Sequence, residues 1–142
     1  GFPMAADQPA SALPPRGRIL IADDQKGTAI PLKYLMQQSG YEVRIAVSGA
    51  EALETAVAFQ PDLVLLEGMI SNPDGFETCQ TLRSHPKLAK VRILFVSAMT
   101  RDVDIARGLA AGADGYITKP FSNADIMDHL RRLLELSNGS DQ

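Results

Sequence analysis

Two runs of four apolar residues, Ile19-Leu20-Ile21-Ala22 and Leu63-Val64-Leu65-Leu66, each stop abruptly on an acid, Asp23 and Glu67. A strand with no polar alternation is buried on both faces, which a parallel sheet covered by helices requires. The segments between such runs carry helical spacing. Ile30, Leu32, Leu35 and Met36 follow the first run, with Pro31 admissible only in a first turn and Ser39-Gly40 as the stop. Tyr41–Ala46 alternates like an edge strand. Ser48, with Glu51 three residues on, forms a capping box for a helix whose inner face is Ala52, Leu53, Ala56 and Val57. After Leu66 come a loop through Ser71–Gly75, a helix around Phe76–Arg83, a third buried strand Val91–Val96 ending in Ser97-Ala98, and a helix Asp102–Ala111 closed by Gly112. Tyr116-Ile117-Thr118 is the last strand. Ser122 caps a final helix with Ile126, Leu130, Leu133 and Leu134 inward. Five strand–helix alternations with short loops predict an α/β fold: a doubly wound, five-stranded parallel sheet with five helices.

The 142 residues suit one domain with tails. Residues 1–16, rich in Pro, Ala and Ser, read as a disordered lead-in, with Gly1-Phe2-Pro3 before Met4 as an expression scar. The ordered domain is expected over 17–136, and 137–142 as a tail or the start of a linker. The single Cys79 cannot form an internal disulfide, which suits a reducing cytoplasm. A net charge of −3 without a Lys/Arg cluster argues against direct nucleic-acid binding. No apolar run has transmembrane length.

In doubly wound sheets ligands sit outside the carboxyl ends of the strands. Those ends here carry Asp23-Asp24, Glu67, Ser97 and Lys119-Pro120. Two acids, a further carboxylate, a hydroxyl and an ammonium at one rim are the parts of a magnesium-assisted phosphoryl-transfer pocket. Mg²⁺ takes oxygen ligands and keeps several waters. Phosphoryl transfer needs in-line positioning and cancellation of charge on the equatorial oxygens.

Several segments in order carry a resemblance. They are Asp23-Asp24 after an apolar strand, Pro61–Leu66, Asp74-Gly75-Phe76-Glu77, Ser97-Ala98, Gly112-Ala113-Asp114-Gly115-Tyr116 and Lys119-Pro120-Phe121. Over residues 18–136 the chain resembles a receiver domain of two-component response regulators, of the CheY-like, flavodoxin-like fold. The resemblance implies a phosphorylation-controlled switch in phosphorelay signal transduction rather than an enzyme. It implies Mg²⁺ held by Asp23, Asp24, the acceptor carboxylate and the backbone carbonyl of Met69. It implies an acceptor at the position of Glu67, a phosphoryl pocket of Ser97 and Lys119, Tyr116 as the aromatic that turns inward on activation, and a cis Lys119–Pro120 bond. Implied partners are a histidine kinase or phosphotransfer protein, an attached or separate output domain, and a second copy through the last strand and its flanking helices. No membrane partner is implied, and the expected compartment is the cytoplasm.

The chain departs from that family at the acceptor, where Glu67 stands in place of Asp, and in the loop that follows, Gly68-Met69-Ile70-Ser71-Asn72-Pro73, where the Pro has moved. A Glu carboxylate reaches farther by one C–C bond, ~1.5 Å. Misplacing a reacting group by ~1 Å can cost about a hundredfold in rate. Glu67 is therefore expected to be a poor phosphate acceptor and to weaken or abolish Mg²⁺ binding. Its longer arm can put charge beside Ser97 and Lys119, where a phosphoryl group would lie, and so act as a phosphomimetic that biases the switch. An inert, frozen pocket is the competing outcome.

Two other classes share parts of this pattern. A small hydrolase or phosphatase with a carboxylate nucleophile uses acidic pairs and a Lys, but such enzymes carry a cap insertion for which this chain has no room. A flavodoxin-like cofactor-binding module needs a Gly-rich phosphate loop, where this chain has Asp23-Asp24. Singly, each candidate has a plainer role: Asp23-Asp24 as helix caps, Ser97 as a strand-end hydroxyl, Lys119 as a solvated lysine, Tyr116 as an edge-strand aromatic. Cys79 reads as a core residue, and His85 and His129 as surface histidines. Met36, Met69, Met99 and Met127 read as core or rim fillers, and Arg131-Arg132 as a solvated helix face.

Overall fold

The computed structural model describes residues 15–140. Its strands are β1 (Arg18–Ala22), β2 (Glu42–Ala46), β3 (Leu63–Leu66), β4 (Arg92–Ser97) and β5 (Gly115–Thr118). Its helices are α1 (Lys26–Gln38), α2 (Gly49–Phe59), α3 (Gly75–Ser84), α4 (Asp102–Ala110) and α5 (Asn123–Ser140). Strand and helix alternate without exception, and all pairings are parallel in the order β2-β1-β3-β4-β5. This is the doubly wound sheet that the alternation predicts.

The period-two geometry of the strands sorts the core into two layers. Leu20, Ala22, Val64, Leu66, Ile93 and Phe95 point to one face, against Ala52 and Ala56 of α2 and Phe76, Cys79 and Leu82 of α3. Ile19, Ile21, Leu63, Leu65, Leu94 and Val96 point to the other, against Ala29, Leu32 and Met36 of α1 and Ile126, Leu130 and Leu133 of α5. The continuous apolar runs follow directly from this, because every position of β1 after Arg18 and every position of β3 meets a helix layer. No described helix is long and apolar enough to cross a membrane.

Capping chemistry sets the ends. Ser48 Oγ accepts from Glu51 N, and the Glu51 carboxylate accepts from Val47 N. Asp74 caps α3 through Glu77 N, and Ser122 Oγ accepts from Asp125 N at the start of α5. Gly40 (φ +96) and Gly112 (φ +112) take the left-handed region just past α1 and α4.

Four expectations need correction. Pro31 lies inside α1, which begins at Lys26, rather than in its first turn. The carbonyl of Gly27 that it leaves without an intrahelical donor belongs to an exposed residue, so water can satisfy it. Ile30 is 55% exposed and Val57 43% exposed. Each lies one residue, about 100° around the helix, from a buried stripe: Ala29, Leu32 and Met36 in α1, and Ala52, Ala56 and Phe59 in α2. Arg16 belongs to the fold, with its N–H donated to Gly40 O and its guanidinium over the Tyr41 ring. The lead-in expected before it falls, through residue 14, outside the described residues. Helix α5 continues to Ser140, beyond the expected start of a tail at 137.

Candidate functional site

Register brings the strand ends level. Ala22 pairs with Leu66, Leu66 with Phe95, and Ser97 with Thr118. The ladder then runs on beyond the strands: Asp23 N donates to Ala46 O, Glu67 N to Ala22 O and Lys119 N to Ser97 O. The backbones of these three rim residues are thus held by the sheet itself. The peptide bond Lys119–Pro120 is cis, as the resemblance implies, and Asn72–Pro73 is cis as well.

The rim brings together Asp23, Glu67, Ser97 and Lys119. Lys119 Nζ lies 2.9 Å from Asp23 Oδ2 and 3.0 Å from Glu67 Oε1. Glu67 Oε1 also accepts from Ala98 N at 3.2 Å. Glu67 Oε2 accepts from Met69 N at 3.1 Å and from the Ser97 hydroxyl. A carboxylate offers about four lone-pair positions, and Glu67 fills them with two backbone N–H groups, a hydroxyl and an ammonium. Ser97 Oγ in turn accepts from Met99 N. Asp23 divides its oxygens between Lys119 and Gln25 N, so it also caps the turn into α1. Asp24 is exposed, and no hydrogen bond or ion pair among the described residues joins it to this cluster.

Burial opposes the charged form of Glu67, yet the Ser97 hydroxyl, the Met69 N–H and the Lys119 ammonium together outweigh it and hold the carboxyl below its ordinary range. Burial likewise opposes the Lys119 charge, and Asp23 and Glu67 overcome it, raising the ammonium. The cluster is therefore an ion triad, with the Lys119 ammonium between two carboxylates.

Two glycines admit close approaches here, one at the loop after β3 and one at Tyr116. A Cβ on Gly75 would meet Glu67 O and Gly68 Cα at 2.6 Å, so only glycine permits that backbone contact. A Cβ on Gly108 of α4 would meet the Tyr116 ring at 3.0 Å. Tyr116 lies in that space, stacked on Phe95 at 5.4 Å, with its hydroxyl donating to Met99 O at 2.6 Å.

Residues 19–131 match the response regulator receiver domain family. The chain belongs to that family. The receiver domain is 37% identical over 117 residues to the DNA-binding dual master transcriptional regulator RpaA of Synechocystis sp., covering 82% of this chain and 48% of that protein. It is 37% identical over 120 residues to the alkaline phosphatase synthesis transcriptional regulatory protein PhoP of Bacillus subtilis, covering 84% and 49%. It thus spans about half the length of the curated relatives it matches. Among solved structures it resembles a CheY-like response regulator receiver domain protein of Methanospirillum hungatei, with TM-score 0.81 and 25% identity over 87% of this chain and 97% of that one.

Side-chain types at strand ends pointed to most of this receiver domain's rim. They could not disclose the donors from Met69 N and Ala98 N, because every residue but proline carries an amide. The hydroxyl link from Tyr116 to Met99 O escaped for the same reason.

Proposed function

We propose that this receiver domain signals without aspartyl phosphorylation, with Glu67 as a permanent stand-in for a phosphorylated acceptor. The observation that carries this reading is the seat of its carboxylate. Ser97 and Lys119, the groups that would receive phosphoryl oxygens, both close on Glu67 itself, and Ala98 N joins them. A carboxylate with every lone pair engaged has none free to attack phosphorus, and its extra methylene moves it off the in-line position.

Tyr116 supplies the switch. Its half-buried ring, packed over Gly108 and tied to Met99 O, supports an inward, active-like state. A conformational bias needs contacts that differ between the two states; the Glu67–Ser97 and Glu67–Lys119 contacts are those contacts here. The domain then acts by binding in the cytoplasm and not by catalysis. Its partners are a kinase or phosphotransfer protein upstream and an output domain downstream, in keeping with the regulator names of its relatives. Exposed Val103 and Leu109 on α4, beside β5, suit a second copy of the chain.

The test is incubation with acetyl phosphate and Mg²⁺ followed by intact mass spectrometry. The wild type should gain no 80 Da adduct while Glu67→Asp does. An acyl phosphate on Glu67 would refute the reading.

A further inference from the structure

We infer that the residues of this pocket do not fit a divalent cation, and that the wild-type domain holds its state without Mg²⁺. Three observations lead there, and the inference deepens the reading of Glu67 above while resting on it only for where that carboxylate lies.

First, the carboxylate at the acceptor position is fully occupied. Glu67 spends its acceptor positions on Ser97, Met69 N, Ala98 N and Lys119. Asp23 gives one oxygen to Gln25 N and the other to Lys119. Second, the charge is already balanced locally. Clustered carboxylates repel and require a cation if all are to stay ionised. The Lys119 ammonium stands 2.9 Å from one and 3.0 Å from the other. Third, the remaining donors do not converge. Asp24 is exposed, and no three His, Cys, Asp or Glu among the described residues stand close enough to hold a metal. Mg²⁺ demands near-octahedral oxygen geometry and gives up its waters reluctantly. The residues present do not fit it.

The cause is the added methylene. It carries the carboxylate past the position from which a shorter acid would face Asp23, and into the donors of Ser97 and Ala98. The inference therefore makes a paired prediction. Mn²⁺, a paramagnetic probe of the same hard-oxygen chemistry, is titrated into ¹⁵N-labelled protein and amide broadening is followed. Glu67→Asp should show broadening confined to residues 23–25 and 67–69 at Mn²⁺ concentrations at least tenfold below any that affect those amides in the wild type. Thermal unfolding in 10 mM Mg²⁺ against EDTA should shift for Glu67→Asp only. Equal broadening in both proteins overturns the inference. Broadening in neither removes Glu67's length as the cause and overturns it as argued. The two readings fail separately. A wild type that binds Mn²⁺ yet takes no phosphoryl group sinks only the inference about the metal. A wild type that is phosphorylated sinks the phosphomimetic reading whatever its metal affinity.

Discussion

Replacing Lys119 by Met tests the ion triad most severely. The substitution keeps the stem and removes the ammonium, leaving two carboxylates with no cation between them. The side chains of Lys119, Asp23 and Glu67 are 13%, 4% and 2% exposed, so water can do little to compensate. Removing one partner of a buried ion pair costs about 3–5 kcal/mol. A domain of this length loses roughly 4 °C of Tm per kcal/mol, so Tm should fall by about 12–20 °C. Calorimetry in EDTA measures it. The loss should shrink as pH falls, because protonating Glu67 relieves the repulsion that the missing ammonium leaves. Lys119→Met with Glu67→Gln should regain much of the stability, since one of the repelling charges is gone. A fall in Tm under about 3 °C, or a double variant no better than the single one, would refute the triad as described.

Other consequences can be checked together. Glu67 has a depressed folded-state pKa, so its stabilisation is full above the ordinary 4.5 and is lost as pH falls through the folded value. The stability gap between wild type and Glu67→Gln, read from urea melts, should close at the acid end. Gly108→Ala should displace the Tyr116 ring, visible as changed ring chemical shifts. Overpacking of about 1–3 kcal/mol should there exceed the gain of up to ~1 kcal/mol from helix propensity. Arg83 donates to Gly112 O, Ala89 O and Val91 O and pairs with Asp114, tying the end of α3 to the entries of β4 and β5. Arg83→Ala should therefore cost about 2–3 kcal/mol in urea denaturation. Burial pushes the Cys79 thiol up to about 11, so an alkylating reagent at pH 8 should label it only after unfolding.

How much of this was legible beforehand divides along physical lines. The two-sided burial of β1 and β3 was readable because it needs only composition within a run. The caps at Ser48 and Ser122 were readable because a hydroxyl at that offset has one good use, whereas the cap Asp74 fell within an expected loop. Exposure of Ile30 and Val57 was not, since a turn of 100° decides it and adjacent apolar residues leave the phase of the stripe open. Pro31 misled because its cost depends on whether the freed carbonyl meets water, which is a property of the surface. At the rim, Asp23, Glu67, Ser97 and Lys119 were found by position. Asp24 looked equivalent to Asp23 in one dimension; it is the twist of the chain into α1 that buries one and exposes the other.

The three main-chain links that continue the ladder past β1, β3 and β5 have a broader implication. They anchor the socket independently of whatever occupies it. On the reading proposed above, the seat of residue 67 holds a built-in charge where a transient chemical mark would stand. Under that reading the message lasts as long as the polypeptide itself.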